Sequence, residues 1–327
     1  MADLTVHYLG KKLPSPIIVS SSSITRNVES IKKCADSGAG AVVLKSLFEE
    51  QVEAELDHDR SASPDSFHPE TEDYFRQMGK HLGPADYLKL IEKAKKSVSI
   101  PIFASLNCTS SAWWTTYAKQ IATSGADGIE LNIARMPRSR KEDGESIEKR
   151  MVQIVAGVQA EVPLPLAVKI GPYFTSLPRI AAELKKAGAE ALVLFNRFYQ
   201  LDIDIDSMRL APGYQFSSPS EMYTSLRWIS ILSGSIECDL SASTGIHDGK
   251  AVIKHLLAGA ASAQVCSVLY RKGIGEIRTM LRDIENWMRA HNFSSVAEFR
   301  GKLSQAESAD PESYERLQYI KALTGIN

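Results

Sequence analysis

The sequence predicts an α/β protein, a (β/α)8 TIM barrel with inserted active-site loops. Strand and helix patterns alternate along almost the whole chain of 327 residues, which indicates a parallel sheet covered by helices. Eight strand–helix units within about 300 residues favour a closed barrel over an open doubly wound sheet. A Gly-Ala pair recurs where a helix ends and a strand follows, which indicates an internal repeat. These pairs are Gly38-Ala39, Gly125-Ala126, Gly188-Ala189 and Gly259-Ala260.

The predicted strands are short apolar runs, each closed by polar or small residues. They cover residues 16–20, 41–44, 100–106, 128–131, 165–169, 191–195, 236–240 and 262–269. Amphipathic patterns predict helices at 28–35, 85–97, 113–122, 146–160 and 176–186, with three more before His291. Ser146 is the expected N-cap of the fourth helix. No Gly-x-Gly-x-x-Gly follows the first strand, which argues against a dinucleotide-binding sheet.

Two connections are too long and too polar to be simple turns. They cover about 49–82 and 197–220, and segments of this length within a compact fold are usually functional loops. We expect both to be inserted loops at the active site of a single barrel domain that spans residues 1–327. A C-terminal helical tail is expected at about 292–327.

Composition excludes several classes of partner. The net charge is −1, with 38 basic and 39 acidic residues, so we expect no nucleic-acid partner. No apolar run approaches the roughly 20 residues that a membrane span needs, and the N-terminus lacks the pattern of a secretion signal. The cysteines, Cys34, Cys108, Cys238 and Cys266, form no Cys-x-x-Cys, which favours free thiols, no metal site and a cytoplasmic location. A small-molecule substrate remains the expected partner.

The stretch 239–249 carries the first functional signal. An apolar run gives way to small residues around Thr244 and Gly245, and an amphipathic helix follows. Such a strand-to-helix turn directs backbone N–H groups and the positive end of the helix dipole at one point, which suits a phosphate. The junction after 262–269, with Gly273 and Gly275, is a second candidate, and the last two units of a barrel often form such a clamp. Ordinary turns between strand and helix are the alternative.

Polar residues close most of the predicted strands. They are Ser20-Ser21-Ser22, Lys45, Asn107, Asn132, Lys169, Asn196, Ser243-Thr244 and Cys266-Ser267. Because the carboxyl ends of barrel strands meet at one mouth, this ring suits a flat heteroaromatic molecule with imide and carbonyl edges, whose anionic form the lysines stabilise. The alternative is that Lys45 and Lys169 pair with barrel carboxylates such as Glu130.

Four segments give the chain a resemblance to a known family. Residues 167–174 read Ala-Val-Lys-Ile-Gly-Pro-Tyr-Phe, 43–46 read Val-Leu-Lys-Ser, 244–249 read Thr-Gly-Ile-His-Asp-Gly, and 292–303 carry a tail with Phe293 and Phe299. In these segments the chain resembles the dihydroorotate dehydrogenase family, most closely its soluble class 1 branch. The resemblance implies a barrel that holds flavin mononucleotide (FMN), a homodimer, and oxidation of dihydroorotate to orotate in pyrimidine biosynthesis.

The resemblance also implies roles for individual residues. Lys169 would hold the flavin near its N1–C2=O edge and stabilise the reduced anion. The full set of cofactor-binding residues is Ser21, Lys45, Asn107, Asn132, Lys169, Thr244, Gly245, Cys266 and Ser267. The substrate-binding residues are Lys45, Asn132, Arg135 and Asn196.

Two loops depart from the family pattern. In class 1 enzymes the strand-four loop reads Asn-Leu-Ser-Cys-Pro-Asn, and its cysteine takes a proton from C5 of dihydroorotate. Here residues 132–137 read Asn-Ile-Ala-Arg-Met-Pro, so Arg135 stands at the position of the base, and a guanidinium cannot serve as one near neutral pH. Residues 66–70 likewise replace the family's Asn-Ser-Met-Gly-Leu-Pro-Asn run. The catalytic base is therefore unassigned, with His68, Glu70 and Cys108 as conceivable substitutes.

The leading hypothesis is an FMN-dependent oxidoreductase that oxidises dihydroorotate or acts on a related small anion, which Arg135 could bind through two hydrogen bonds. A second hypothesis is an FMN- or ligand-binding barrel without dihydroorotate turnover, because the usual cysteine is absent. A third is an aldolase or isomerase barrel with Lys169 as a Schiff-base amine.

Overall fold

The structure is a computed structural model that describes residues 2–49, 84–107, 111–133, 136–137, 139–198, 200–213 and 215–325. Most of the predicted loop at 49–82 lies outside the described residues. So do Arg135 and the three candidate bases, His68, Glu70 and Cys108.

Strands of the described residues form one closed barrel and two small antiparallel pairs. In chain order the strands are β1 (Val6–Tyr8), β2 (Lys11–Leu13), β3 (Ile17–Val19), β4 (Ala41–Val43), β5 (Leu47–Phe48), β6 (Ile102–Asn107), β7 (Gly128–Asn132), β8 (Leu166–Ile170), β9 (Ala189–Leu194), β10 (Gln200–Asp204), β11 (Arg209–Gly213), β12 (Asp239–Ser243) and β13 (Ser262–Val265). The barrel order is β3-β4-β6-β7-β8-β9-β12-β13, all neighbours are parallel, and β13 pairs with β3. The predicted (β/α)8 TIM barrel is confirmed.

Helices cover the outside of this barrel. They are α1 (Val28–Asp36), α2 (Pro84–Ser97), α3 (Ser111–Thr123), α4 (Gly144–Glu161), α5 (Leu177–Lys186), α6 (Met222–Leu232), α7 (Gly249–Ala258), α8 (Ser267–Lys272), α9 (Glu276–Ala290) and α10 (Tyr314–Thr324). Strands such as β3 and β8 are buried at every residue, as expected when a parallel sheet is covered on both faces. Each fully buried Ile, Leu or Val side chain contributes about 1.5–3 kcal/mol to folding. Among the helices of the described residues, none combines the length and the hydrophobicity that a membrane span requires.

Two predicted strands are wrong in extent. The run predicted at 236–240 is displaced, because Cys238 N–H donates to the Ile236 carbonyl in a turn and the strand continues through the small residues to Ser243. The run predicted at 262–269 stops at Val265, since the Cys266 carbonyl accepts from Leu269 N–H and a helix begins. A short apolar run alone does not distinguish a strand from a buried helix.

The predicted cap of α4 is also wrong. Asp143, not Ser146, is the N-cap, and its carboxylate accepts from Ser146 N–H at 2.8 Å. An acidic cap satisfies an otherwise unpaired helical N–H and also stabilises the positive end of the helix.

The second predicted insertion contains regular structure. Within 197–220, β10 and β11 pair as an antiparallel hairpin. Residues 215–218, which we call the strap, then return to the barrel ahead of α6. The segment after α9 packs on α7, because Gly301 and Leu303 donate backbone N–H groups to the carbonyls of Leu256 and Leu257.

Candidate functional site

One cavity opens at the carboxyl ends of the barrel strands and includes about 550 Å³ of empty space. This space is open to solvent in front of the strand ends, and a cleft with a few convergent polar groups at the carboxyl face of a barrel is the usual place for a ligand site. Its described walls come from β3, β8, β9, β12 and β13 and the turns that follow them. The lining residues are Ser20, Ser21, Lys169, Phe195, Asn196, Arg197, Ser217, Ser243, Thr244, Gly245, Ile246, Gln264, Cys266 and Ser267. Seven predicted site residues therefore meet here: Ser21, Lys169, Asn196, Thr244, Gly245, Cys266 and Ser267.

Lys169 lies at the end of β8 in a buried polar network. Its Nζ is 3.2 Å from both Ser20 Oγ and Gln264 Oε1 and 3.7 Å from Glu130 Oε1. Gln264 Nε2 donates to Glu130 Oε2 at 2.6 Å. Glu130 is 1% exposed and Lys169 is 7% exposed. The ion pair that was the alternative for Lys169 is thus present, and the same ammonium group also faces the cavity.

This network fixes where the positive charge lies. A buried carboxylate without a cation would be strongly destabilising, so Glu130 requires the ammonium of Lys169. Gln264 contacts both partners and limits their movement. The side chain of Lys169 is therefore held in place before any ligand arrives, which is what electrostatic preorganisation requires.

The turn after β12 has an unusual backbone. Thr244 and Gly245 both have positive φ, 75° and 77°, and the Thr244 hydroxyl donates to the Phe195 carbonyl at 3.0 Å. A Cβ at Gly245 would lie 2.2 Å from the backbone nitrogen of Met222. Glycine is thus required by conformation and by space. Backbone strain held at a cavity wall is typical of binding sites.

The predicted contribution of the helix that follows needs correction. α7 begins only at Gly249, and the Asp248 carboxylate caps it by accepting from Ala251 N–H at 2.8 Å. The carboxylate therefore occupies the helix end, and the cavity meets the turn at 244–246 instead. The second predicted clamp is also displaced, since Cys266 and Ser267 line the cavity and Gly273 and Gly275 do not.

The last two strand ends are joined by the strap. Ser217 N–H donates to Ser267 Oγ at 3.1 Å, and Ser217 Oγ lies 3.1 Å from His247 Nε2. Burial raises the pKa of the Cys266 thiol, and the nearby Lys169 opposes that rise. A thiol in this state is a poor nucleophile.

Ser21 and Lys45 follow β3 and β4, the two strands that come after β13 around the barrel. Ser21 Oγ is 3.0 Å from Ser46 Oγ, which in turn is 2.8 Å from Ser105 Oγ. Lys45 is half-buried but is not one of the described cavity-lining residues. Burial, and then the positive charge of Arg26, lowers the pKa of Lys45. Its predicted contact with cofactor or substrate stays a prediction.

The predicted asparagines behave differently from one another. Asn196 Nδ2 donates to Asn132 Oδ1 at 2.9 Å, which joins the ends of β9 and β7. Asn107 ends β6 opposite Phe48 and does not line the cavity. Arg135 lies outside the described residues.

Several residues of the cavity were not among the predicted site residues. Arg197 donates to the Gln215 carbonyl, and its Nε lies 2.7 Å from Glu221 Oε2. Burial raises the pKa of Glu221, but hydrogen bonds from Arg197 and Ser218 outweigh it, so the pKa is lowered overall. Gln264 had a local signal, as a lone amide within an apolar run, and Arg197 directly follows a strand-end asparagine. Ser217 and its partner His247 had none.

The comparisons with known proteins agree with this geometry. The family model described as dihydroorotate dehydrogenase matches residues 3–288. The chain belongs to the dihydroorotate dehydrogenase family. It is accordingly an oxidoreductase of the type that acts on CH–CH groups, and the resemblance drawn from the sequence motifs is confirmed.

Similar proteins include two kinds of dehydrogenase. The chloroplastic dihydropyrimidine dehydrogenase (NADP(+)) of Arabidopsis thaliana is 24% identical, over 91% of this chain and 76% of that protein. The catalytic subunits of dihydroorotate dehydrogenase B (NAD(+)) from Thermoplasma volcanium and Pyrococcus abyssi are also 24% identical. They align with 92% and 91% of this chain, and in each case with 98% of the relative.

Proposed function

We propose that the chain binds FMN at the mouth of the barrel and transfers hydride between this flavin and a CH–CH bond of a small substrate, with dihydroorotate as the first candidate. One observation carries the proposal: a single cavity extends from the buried ammonium of Lys169 to the strained turn at Thr244 and Gly245. A cation at one end and a tight backbone turn at the other suit a ring and a phosphate in one molecule.

The residues present fit a flavin mononucleotide. The cavity wall is rich in hydrogen-bond donors, including one ammonium and the hydroxyls of several serines, and both ends of FMN carry acceptors. Thr244, Gly245 and Ser267 would hold the phosphate. Lys169 would hold the edge of the ring. Ser21 and Cys266 would line the space between, and Lys45, Asn107 and Asn132 would complete the cofactor set from the ends of β4, β6 and β7.

Bound FMN supplies a ring that accepts or donates a hydride. The chain's own residues then have three tasks. Lys169, fixed by Glu130 and Gln264, places positive charge where negative charge develops on reduction. Asn132 and Asn196, which already pair, retain amide groups that can contact a planar heterocycle. Arg135 would bind a substrate anion and cannot act as a base.

The proposed substrates follow from the relatives. Their names include dihydropyrimidine and dihydroorotate, so dihydrouracil and dihydroorotate are the compounds to compare. Dihydroorotate carries a carboxylate that dihydrouracil lacks. A preference for dihydroorotate would therefore indicate that a cationic group such as Arg135 binds this carboxylate.

The test is spectroscopic. The purified protein should show an oxidised flavin spectrum, and the cofactor released by denaturation should be FMN. Anaerobic addition of dihydroorotate should bleach the absorbance, whereas an equal amount of orotate, as the matched control, should not. A colourless protein that does not take up FMN would overturn the proposal.

A second candidate function is supported by the sequence, in which Arg135 stands where the family's loop has its catalytic cysteine. An FMN-binding barrel without dihydroorotate turnover would be yellow and would keep its colour with both dihydropyrimidines. The Schiff-base alternative loses support, because Lys169 is in an ion pair with Glu130 and a protonated amine is not a nucleophile. Borohydride should therefore trap no carbonyl compound on Lys169.

The proposal also includes a cytoplasmic homodimer with a role in pyrimidine biosynthesis, as the family resemblance implies. Light scattering of the FMN-bound protein tests the dimer directly. A mass near that of one 36.0 kDa chain would contradict it.

A further inference from the structure

The strap meets the turn of the proposed phosphate site through a serine–histidine pair. Ser217 is 4% exposed and lines the cavity. Its hydroxyl lies 3.1 Å from Nε2 of His247, which is 8% exposed and follows the turn at 244–246 by one residue. The sequence analysis gave neither residue a role, and neither has a place in the mechanism above.

Several contacts hold the strap against α8. The rings of Phe216 and Tyr270 stack with centroids 5.1 Å apart, and Arg271 donates to the Phe216 carbonyl at 3.4 Å. Ser217 N–H is committed to Ser267 Oγ. Since its backbone donor is occupied, Ser217 can donate to a ligand in the cavity only through its hydroxyl. What that hydroxyl can offer depends on His247.

A serine hydroxyl has one proton and can donate only once. When His247 Nε2 carries no proton, the Ser217 hydroxyl donates to it, and only oxygen lone pairs face the cavity. When Nε2 is protonated, the imidazole donates to Ser217 Oγ, and the hydroxyl proton becomes available to an anion. A charged imidazole always carries a proton on Nε2, whereas a neutral one does so in only one of its two tautomers. Protonation of His247 therefore favours the state in which the Ser217 hydroxyl can donate to a phosphate.

We propose that Ser217 and His247 form a proton-coupled clamp for the phosphate of the bound flavin, in which protonated His247 turns the Ser217 hydroxyl toward the phosphate. This inference rests on the proposed FMN function. It assigns the strap a direct role in recognising the anionic end of the cofactor, and it makes the affinity for that end depend on pH.

The charged groups around His247 set the direction of the effect. Burial, and then the positive charges of Arg271 and Lys272, lower its pKa, while a hydrogen bond to the backbone of Ser217 and the carboxylate of Asp248 partly oppose them. In the absence of an anion His247 is therefore neutral near pH 7. A phosphate in the cavity favours the protonated form, so FMN binding takes up a proton, and protonation in turn strengthens binding by linkage. The contribution of the clamp should increase as the pH falls from 8 toward 6.

The experiment compares FMN with riboflavin, which has the same ring and lacks the phosphate. Dissociation constants for the flavin-free protein would be measured by fluorescence quenching at pH 6 and pH 8 for wild type, Ser217→Ala and His247→Gln. His7→Asn is the control, because His7 is an exposed histidine on β1. The ratio of the riboflavin dissociation constant to the FMN dissociation constant measures how much the phosphate contributes to binding. The phosphate of FMN also changes its charge with pH, but this change is the same for every variant and cancels when variants are compared at one pH.

At pH 6 this ratio should be about tenfold larger in wild type and His7→Asn than in Ser217→Ala, as expected for one charge-assisted hydrogen bond. At pH 8 the excess should fall to less than about threefold, and His247→Gln should show no such pH dependence. As a second readout, FMN should raise the pKa of His247 measured by NMR, whereas riboflavin should leave it unchanged.

The outcomes separate the two proposals. Equal ratios in all four proteins at both pH values would overturn the clamp while leaving FMN binding intact. If the protein binds neither flavin, the proposed function fails, and the clamp fails with it.

Discussion

The two ends of the proposed active site differ in how they are built. The cofactor end consists of residues at the ends of barrel strands, such as Lys169 on β8 and Thr244 after β12. The proposed substrate end would rest on two loops, 132–137 and 66–70, whose sequences depart from the family pattern. Strand ends are fixed by the barrel itself, whereas loops can change without disturbing it. Family membership is therefore stronger evidence for the identity of the cofactor than for the identity of the substrate.

Replacing Lys169 should have the largest effect on the cofactor end. Lys169→Met removes the cation and leaves Glu130 buried without its partner, which should destabilise the fold by about 3–5 kcal/mol. FMN affinity should fall by about 100-fold, since a charged hydrogen-bond donor is lost in a buried site. Chemical denaturation and flavin titration measure the two effects, with Lys186→Met on the exposed face of α5 as the control.

The double variant Lys169→Met with Glu130→Gln separates stability from binding. Removing the unpaired carboxylate should restore most of the stability, but it should leave FMN binding weak. Recovery of tight FMN binding in the double variant would show that Lys169 supports the barrel and not the flavin.

Gly245→Ala should have the next largest effect. The new Cβ would lie 2.2 Å from Met222 N and would adopt a φ of +77°, so the turn must move. FMN should bind at least about tenfold more weakly, while riboflavin should change less, since the turn is the proposed phosphate contact. Gly125→Ala is the matched control, because Gly125 has a φ of +87° and open space around it. The Gly125→Ala variant should therefore show only the cost of a positive φ, roughly 1 kcal/mol, without a steric clash. Equal loss of both flavins would contradict the assignment of the turn.

The sequence predicted several residues that line the cavity, but it did not predict the residues that hold them in place. Lys169 and Thr244 were found because a polar residue that closes an apolar run is a local signal. The bond between Gln264 and Glu130 joins residues 134 positions apart and exists only once the barrel closes. The same limit hid the pairing of Ser217 with His247.

Local patterns also misplaced some boundaries. The run 262–269 contains Val268 and Leu269, which are buried whether the segment is a strand or the helix that the structure has. Small residues hid the continuation of β12 to Ser243 for the opposite reason, since they lack the apolar bulk by which strands are recognised.

Acid should weaken the scaffold through His255, which lies in α7 behind the cofactor end. Its Nε2 is 2.9 Å from Ser225 Oγ, and burial lowers its pKa to about 4. The unfolded chain takes up a proton near the ordinary pKa of about 6.5, so the stabilisation is complete above pH 6.5 and is lost as the pH falls toward 4. The loss should reach about 3 kcal/mol.

Urea unfolding of wild type and His255→Gln between pH 7 and pH 4.5 measures this contribution. The variant should be less stable at pH 7 and should change less with pH, while His291→Gln on the surface should follow wild type. A parallel pH profile in His255→Gln would assign the acid sensitivity elsewhere. The measurement also separates the scaffold from the cofactor end. If acid releases FMN while the protein stays folded, the groups that lose FMN lie at the cofactor end and His255 is not the cause.

The smallest expected effect concerns the pair that holds the strap, Arg197 and Glu221. The Glu221 side chain is 33% exposed, so solvent screening limits the pair to about 1 kcal/mol. Because the pKa of Glu221 is lowered overall, its stabilisation is present above the ordinary range of a glutamate and is lost as the pH falls through the lowered value. Glu221→Gln should therefore lower the melting temperature by a few degrees at pH 7 and by less at pH 4. Glu183→Gln removes an exposed i,i+4 pair with Arg179 and should change neither value. A Glu221→Gln protein that melts like wild type but binds FMN more weakly would place the pair in the cofactor end and not in the scaffold.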